Sequence, residues 1–153
     1  MLFETDAERD ERFMLMALDE AAAAAEEGEV PVGAVVVCNG RVIARTHNLT
    51  ERLRDVTAHA EMQAITAAAD NLNGKYLTDC TIYVTLEPCP MCAAALKWAQ
   101  IGRVVYGASD PKRGYRAAFA RPETAFHPKT VVDNGLLADE CLEIVQSFFR
   151  RRR

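Results

Sequence analysis

Two short motifs in this sequence place metal-binding side chains next to a carboxylate. The first is His59-Ala60-Glu61, and the second is Pro88-Cys89-Pro90-Met91-Cys92. A catalytic zinc site uses three protein ligands and leaves a fourth position for water or substrate, whereas a structural site uses four. His59, Cys89 and Cys92 provide three ligands of the types that zinc prefers. We therefore predict a catalytic site that holds one Zn2+ per chain.

Glu61 has a different role in this interpretation. A water activated by zinc needs a nearby group that accepts its proton and passes it to the leaving group. Residues two apart do not share a face within a regular helix, so His59 and Glu61 can meet only near a helix start. Thr57 is a candidate cap just upstream, and residues 61–69 are strong helix formers. We predict that Glu61 is the catalytic proton carrier.

The cysteine motif has the same design. Pro88 and Pro90 flank Cys89 and suit a loop that enters a helix at its first turn. Helix N-termini favour thiolate over thiol, because their N–H groups and dipole stabilise negative charge. A C-x-x-C pair alone is also typical of redox dithiols and of structural zinc sites. The combination with His59 and Glu61 favours catalytic zinc.

Composition places limits on the class of protein. The chain has 153 residues, of which 50% are hydrophobic, so we predict a single domain over residues 1–153. No apolar stretch is long enough to span a membrane, and the N-terminus is acidic, so we expect a soluble, unexported protein. Five cysteines give no disulfide pattern, and Cys38, Cys80 and Cys141 are predicted to be buried. A thiolate site fits the reducing cytoplasm.

The charge is distributed unevenly along the chain. The net charge is −4, yet it is negative over residues 1–102 and positive over residues 103–153. Such asymmetry indicates a polyanionic partner for the basic half, although a solvated face with a frayed tail explains it equally well. The basic residues of this half include Lys112, Arg113, Arg116, Arg121, Lys129 and Arg150 to Arg153.

Hydrophobic periodicity and turn signals predict the elements that position these motifs. In chain order they are a helix over 6–27, strands over 30–37 and 41–46, a helix from about 58, a strand over 81–86, a helix to about 100, a strand over 103–107, a long loop over 110–130 with room for one helical turn, a short strand over 130–132 and a helix over 138–151. In the last helix, Leu142, Val145, Phe148 and Phe149 are predicted to face inward. This order predicts a three-layer α/β/α sandwich with a mixed sheet of about five strands.

The motifs and their surroundings resemble the cytidine deaminase-like superfamily, and within it the bacterial tRNA-specific adenosine deaminases. The resemblance extends over nearly the whole chain and includes residues 30–37, Asn48, residues 83–87, 101–107 and 138–141. It implies that zinc-activated water attacks C6 of a flipped-out adenine while Glu61 carries protons, so that adenosine becomes inosine. It also implies a tRNA partner, with the wobble position of the anticodon as target, and a homodimer.

The same resemblance implies roles for five further residues. Asn48 would hydrogen-bond the flipped nucleoside, and Val32 and Leu86 would enclose the base. Asp110 would contact the RNA backbone near the target, and Lys112 would hold phosphates. Without the resemblance, Val32 and Leu86 are ordinary core residues, Asn48 is a turn residue, and Asp110 before a proline is a loop or cap residue.

Two other functions remain open at this stage. A deaminase of a free base or nucleoside, such as guanine deaminase, would have the same metal site. A noncatalytic zinc-containing RNA-binding subunit would retain the metal only for folding, but it would not need Glu61. His47 and His127 match no motif and are predicted to be non-catalytic.

Overall fold

The computed structural model describes residues 3–152 and contains five strands and five α-helices within that range. In chain order they are α1 (Asp6–Glu26), β1 (Gly33–Cys38), β2 (Arg41–His47), α2 (Ala60–Leu72), β3 (Cys80–Leu86), α3 (Pro90–Trp98), β4 (Arg103–Ala108), α4 (Tyr115–Ala118), β5 (Val131–Asn134) and α5 (Ala138–Arg151), with a 3-10 turn at Pro122–Thr124 before β5. Arg153 of the predicted basic tail lies outside the described residues.

The strands form one mixed sheet in the order β2-β1-β3-β4-β5. β1 is antiparallel to both β2 and β3, whereas β3, β4 and β5 run parallel. The β1–β2 hairpin turns at Asn39 and Gly40, whose φ angles of 52° and 76° place both in the left-handed region. Asparagine and glycine tolerate that region best, which explains the turn. The predicted mixed sheet of about five strands is confirmed.

Helices cover both faces of this sheet. On one face, α2 packs through Ala60, Ala64 and Ala68, and α3 packs through Ala93 and Leu96. The opposite face is covered by α1 and α5, whose buried residues include Phe13, Met14, Ala17 and Cys141. The alanines recur every four residues along α2, so one narrow stripe of that helix lies close to the strands. The three-layer α/β/α prediction is confirmed.

The element bounds differ from the predictions by one or two residues at several ends, and two differences are larger. The first strand begins at Gly33, because the N–H of Val32 bonds to the carbonyl of Val30 in a turn. The segment 110–130 contains two short helical turns and is anchored to the core by Tyr115 and Phe126, whose rings pack edge to face at 4.9 Å. Within residues 3–152, none of the helices is long and apolar enough to cross a lipid bilayer.

One prediction about α5 is wrong. Leu142 and Phe149 are 40% and 44% exposed instead of facing inward. The buried residues are Cys141 and Phe148, with Val145 partly buried between them. Positions 141, 145 and 148 follow the helical spacing of four and three residues, so they form the stripe that contacts the sheet. Leu142 and Phe149 lie on the stripe beside it.

Candidate metal centre and active site

The three predicted ligands lie where two neighbouring helices begin. His59 is the N-cap residue of α2, and Cys89 is the N-cap residue of α3, followed by Pro90 as its first residue. Both caps have extended backbone, with φ and ψ of −69° and 157° for His59 and −72° and 169° for Cys89. Cys92 lies in the first turn of α3 and is buried. Helix starts therefore provide all three donors, as predicted.

Thr57 does not cap α2. Its hydroxyl donates a hydrogen bond of 2.7 Å to Asp55, and its N–H donates to the same carboxylate at 2.8 Å. His59 occupies the cap position without a side-chain hydrogen bond to the helix, which leaves its ring free to point at the cysteines. The prediction of Thr57 as the cap is wrong, because Asp55 draws the threonine side chain into the preceding turn.

The donor atoms are spaced as a zinc ion requires. His59 Nδ1 lies 3.6 Å from Cys89 Sγ and 3.5 Å from Cys92 Sγ. Zinc bonds of about 2.3 Å to sulfur and about 2.0 Å to nitrogen, at a tetrahedral angle, separate such atoms by about 3.5 Å. Among residues 3–152, this is the one group of three or more ligand-type side chains close enough to hold a metal ion. The residues present therefore fit zinc.

The chemistry of Cys89 agrees with this geometry, whereas a hydrogen bond with Cys89 and burial raise the pKa of Cys92. A hydrogen bond from Cys92 and contact with His59 lower the pKa of Cys89 to about 4, although partial burial opposes the shift. The N-terminus of α3 adds further stabilisation of negative charge at this position. Cys89 is thus a thiolate at neutral pH, which is the form that binds metal.

Glu61 is the second residue of α2 and is buried, with 4% of its surface exposed. Its carboxyl group approaches Cys92 and His59, two residues after the N-cap position that His59 occupies. Burial raises the pKa of Glu61 to about 7. A carboxyl group with a pKa near neutrality can both accept and donate a proton, which suits a general acid–base residue. Its catalytic role stays a prediction.

The arrangement matches a known family of enzymes. Residues 7–108 match the family described as the cytidine and deoxycytidylate deaminase zinc-binding region. The chain belongs to this deaminase family. The matched region includes all three ligands and Glu61.

Several relatives of this deaminase are tRNA-modifying enzymes. The tRNA-specific adenosine deaminase of Agrobacterium fabrum is 48% identical over 92% of this chain and 94% of its own length. The chloroplastic tRNA(adenine(34)) deaminase of Arabidopsis thaliana is 43% identical over 98% of this chain, although the chain spans only 13% of that longer protein.

Similar solved structures include one from work on tRNA deaminases and one of a guanine deaminase. A structure from a study of A-to-I editing by tRNA:A34 deaminases superposes with a TM-score of 0.80 at 49% identity, over 87% of this chain and 98% of that chain. Guanine deaminase from Bacillus subtilis superposes with a TM-score of 0.62 at 37% identity, over 71% of this chain and 66% of that chain.

Asn48 lies directly after β2 and is buried. Its Nδ2 donates to the carbonyl of Val30 at 3.3 Å, and its Oδ1 accepts from the N–H of Thr50 at 3.3 Å. These bonds give Asn48 the turn-forming role that the sequence left open. One Nδ2 hydrogen is not used by them, so a role toward substrate stays a prediction.

Val32 and Leu86 lie at strand ends and are half-buried. Val32 packs against the apolar cluster on the α2 and α3 face, which is the face of the metal site. Leu86 packs against the cluster on the α1 and α5 face. The structure thus places Val32 on the expected side, while the contacts of Leu86 with the opposite cluster suit a core residue. Base contact by either residue stays a prediction.

Asp110 and Lys112 lie in the turn that follows β4. The Asp110 carboxylate accepts the N–H groups of Lys112 at 3.3 Å and Arg113 at 3.0 Å, so it organises the turn as an ordinary loop aspartate does. Lys112 is exposed at the tip of this turn. Their contacts with RNA stay predictions.

Two buried carboxylates near the site were missed by the sequence analysis. Glu29 is fully buried and accepts the N–H groups of Glu51 at 2.9 Å and Arg52 at 2.7 Å, in the loop that leads to His59. Glu87 is buried directly before the cysteine motif and accepts the N–H groups of Asp110 and Arg116, both at 3.1 Å. An acid at the end of a predicted buried strand was the available signal for Glu87.

The remaining histidines make contacts away from the metal ligands. His47 lies between a carboxylate of α1 and one at its C-cap, with Nδ1 2.9 Å from Glu20 and Nε2 3.0 Å from Glu27. His127 accepts the N–H of Lys129 through Nδ1 at 3.1 Å. These contacts are structural and suit the prediction that neither residue is catalytic.

Proposed function

We propose that this protein is a zinc-dependent tRNA deaminase that converts adenosine to inosine at the wobble position of an anticodon by hydrolysis. The observation that carries this proposal is the grouping of His59, Cys89 and Cys92 with the buried Glu61. Three ligands leave one coordination position for a reactant, and Glu61 provides proton transfer beside it. The tRNA substrate is supported by the relatives named above. Residues 1–153 act as one deaminase domain in this proposal.

Held by His59, Cys89 and Cys92, a zinc ion would acidify a water molecule so that it can react at neutral pH. Glu61 accepts the proton released from the water and delivers it to N1 of the adenine ring. As the water oxygen bonds to C6 it keeps its second proton. Glu61 then takes that proton and passes it to the amino group, so the C6–N bond breaks, ammonia leaves and the inosine base remains. The raised pKa of Glu61, about 7, suits these opposite transfers. The target base must leave its stack to reach a pocket between two helix starts.

The surrounding residues take the roles that the family pattern assigns. Asn48 hydrogen-bonds the nucleoside, and Val32 and Leu86 enclose the base. Asp110 contacts the RNA backbone, and Lys112 holds a phosphate. Support for the RNA contacts comes from the charge of the chain, which is positive after residue 102, and from the exposed position of Lys112. The anticodon stem-loop is the proposed minimal substrate.

We further propose that the protein forms a homodimer in the cytoplasm. An open groove runs along α2 and is lined by the apolar Leu53, Ala58, Met62 and Ala67 together with the polar Asp55, Thr57, Gln63, Thr66 and Asp70. Val56 and Trp98 are 85% and 84% exposed, and burial of such large apolar side chains against a second copy would favour association. A second copy seated there would complete one wall of the RNA site. The thiolate site favours a reducing compartment.

A free-base deaminase is the second candidate, because the Bacillus subtilis guanine deaminase shares 37% identity with this chain. A noncatalytic zinc-containing RNA-binding subunit is a weaker candidate, because a structural metal site has no use for a buried Glu61.

The decisive experiment incubates purified, zinc-loaded protein with total tRNA and maps inosine by sequencing, with free guanine tested in parallel. We expect inosine at wobble positions and no ammonia from guanine. Glu61→Ala serves as the matched control and is expected to produce no inosine. Guanine turnover without inosine in tRNA would establish the second candidate, and absence of both reactions would favour the noncatalytic subunit.

A further inference from the structure

Glu87 is a buried acid whose partners all belong to one surface turn. Its side chain is 1% exposed, and it lies two residues before the ligand Cys89. A buried carboxylate is costly unless hydrogen bonds or charges compensate it. Its described bonds come from Asp110 and Arg116, the two ends of the turn after β4. This pairing joins the turn to the start of the cysteine motif.

The bonds to Glu87 fix both ends of the turn. Oε1 accepts the N–H of Asp110, Oε2 accepts the N–H of Arg116, and the Arg116 guanidinium approaches Oε1 at 3.4 Å. The N–H of Tyr115 donates to the carbonyl of Pro88 at 2.9 Å, which adds a second link to the cysteine motif. The turn is therefore held at its ends against the residues that carry the metal ligands.

Gly114 is shaped to admit this carboxylate. A Cβ atom at position 114 would lie 2.0 Å from Glu87 Oε2 and 2.3 Å from its Cδ. The turn thus contains a glycine where a side chain would displace the acid. The same Cβ would also lie 2.7 Å from the carbonyl oxygen of Asp110, so a substitution at position 114 disturbs the contact from the side of the turn, whereas a substitution of Glu87 disturbs it from the side of the cysteine motif.

The tip of the turn carries exposed cations. Lys112 and Arg113 are exposed, and their N–H groups bond to the Asp110 carboxylate. The position of these cations relative to the metal ligands therefore depends on Asp110, whose own N–H is held by Glu87.

We propose that Glu87 is a positioning residue that clamps the turn 110–116 to the cysteine motif and so presents Lys112 and Arg113 to backbone phosphates of the bound RNA. This inference rests on the proposed function and names the part of the protein that aligns the RNA with the metal site. Phosphate contacts fix the register of a nucleic acid without reading its sequence. Loss of the clamp therefore weakens RNA binding and leaves the chemical step nearly intact.

The test compares Glu87→Gln and Gly114→Ala with the parent protein. For an anticodon stem-loop we expect KM to rise about tenfold and kcat to stay within about threefold, with one zinc per chain retained. The slope of log kcat/KM against log salt should become shallower by about 1 to 2, because each lost phosphate contact removes roughly 0.7 to 0.9. Hydrogen exchange of the Asp110 and Arg116 amides should accelerate, while that of α3 stays unchanged.

Asp10→Asn is the matched control, because Asp10 is also a largely buried acid. It bonds Arg103, at 2.8 and 2.9 Å, at the start of β4, whereas the turn follows the end of that strand. We expect it to lower stability without changing KM or the salt slope. Parental KM and salt slope in both Glu87→Gln and Gly114→Ala would overturn the inference. Loss of zinc together with kcat would also overturn it, because Glu87 would then support the metal loop itself.

Failure of the proposed function gives a separate result. If the parent does not deaminate the stem-loop, equilibrium binding of that RNA still compares parent and variants without turnover. Weaker RNA binding by both variants would support the proposed role of Glu87. Absence of RNA binding by the parent protein would overturn both that role and the proposed function.

Discussion

His59 Nδ1 lies 3.5 Å from Cys92 Sγ although 33 residues separate them in sequence. The two side chains meet because α2 and α3 begin at the same edge of the molecule and pack on the same face of the sheet. Glu61 reaches this place from the first turn of α2. Substitution of a metal ligand and substitution of the proton carrier Glu61 are therefore expected to have different effects on zinc content and activity.

Glu61→Gln is expected to retain about one zinc per chain and to lose about 10²- to 10⁴-fold in kcat, because it removes the proton carrier but no ligand. Metal analysis and inosine formation measure the two effects. Cys92→Ser provides the contrasting variant, in which zinc retention itself is expected to fall. Loss of zinc from Glu61→Gln would mean that Glu61 is a ligand, and the role given to it here would be wrong.

Activity on an anticodon stem-loop is expected to fall steeply as salt rises from 50 to 200 mM, with an approximately linear decrease of log kcat/KM against log salt. Lys112→Ala should make this slope shallower by about 1, because one phosphate contact is lost. Arg9→Ala, which removes an exposed arginine paired with Asp6 on α1, should leave the slope unchanged. A flat salt response of the parent would count against a polyanionic substrate.

His47 is expected to make folding stability depend on pH. Burial lowers the pKa of His47, but its hydrogen bonds with Glu20 and Glu27 outweigh burial and leave the pKa raised above 6.5. Arg45 also contacts Glu20, at 3.3 Å, and competes for that carboxylate. A raised folded-state pKa contributes stability that is fully present below pH 6.5 and is lost as pH rises through the folded value.

The measurement is urea unfolding of zinc-loaded parent and His47→Gln at pH 5.5 and pH 8.5. The parent is expected to exceed the variant in free energy of unfolding by more at pH 5.5 than at pH 8.5. The other titrating groups contribute equally to parent and variant, so the difference in free energy of unfolding between the two proteins reports the contribution of His47. An equal difference at both pH values would show that the two carboxylates do not bind the protonated ring.

Gly33→Ala is expected to destabilise the protein by about 1–3 kcal/mol, the usual cost of overpacking a core. The added Cβ would meet the carbonyl oxygen of Ala17 at 2.0 Å and the nitrogen of Ala21 at 2.6 Å, and both are backbone atoms of α1. Gly74→Ala is the control, because its nearest atom lies at 4.0 Å and its backbone is not left-handed. Urea denaturation of both variants tests this, and equal stabilities would contradict close packing of α1 on β1.

The fold and the metal ligands could be predicted because their signals are local. Spacing within His59-Ala60-Glu61 and within the cysteine motif already implies helix starts, and Asn39-Gly40 implies the hairpin. The short connection from β3 through α3 to β4 also implies that these two strands are parallel neighbours, whereas the antiparallel pairing of β1 with β3 was not predicted. The three ligands therefore lie together as the sequence predicted.

Other features depend on contacts between distant segments. Glu29 and Glu87 are ordinary acids in the sequence, and their burial becomes evident only when the loops that bond them are in place. Thr57 is of a residue type that is common at helix N-caps, but its hydroxyl donates a hydrogen bond to Asp55 instead. Leu142 and Phe149 are apolar on a helix that has one buried stripe, and hydrophobicity alone does not show which stripe contacts the sheet.

The N-caps that carry His59 and Cys89 have one more consequence. A cation bound to them is a cross-link between two helices that both pack on the same apolar cluster of the sheet. Metal affinity and folding free energy are then two measures of the same equilibrium. Removal of the metal by a chelator is therefore expected to lower the unfolding temperature of the protein. The zinc supply of the cell would then influence the folded fraction of this protein as well as its activity.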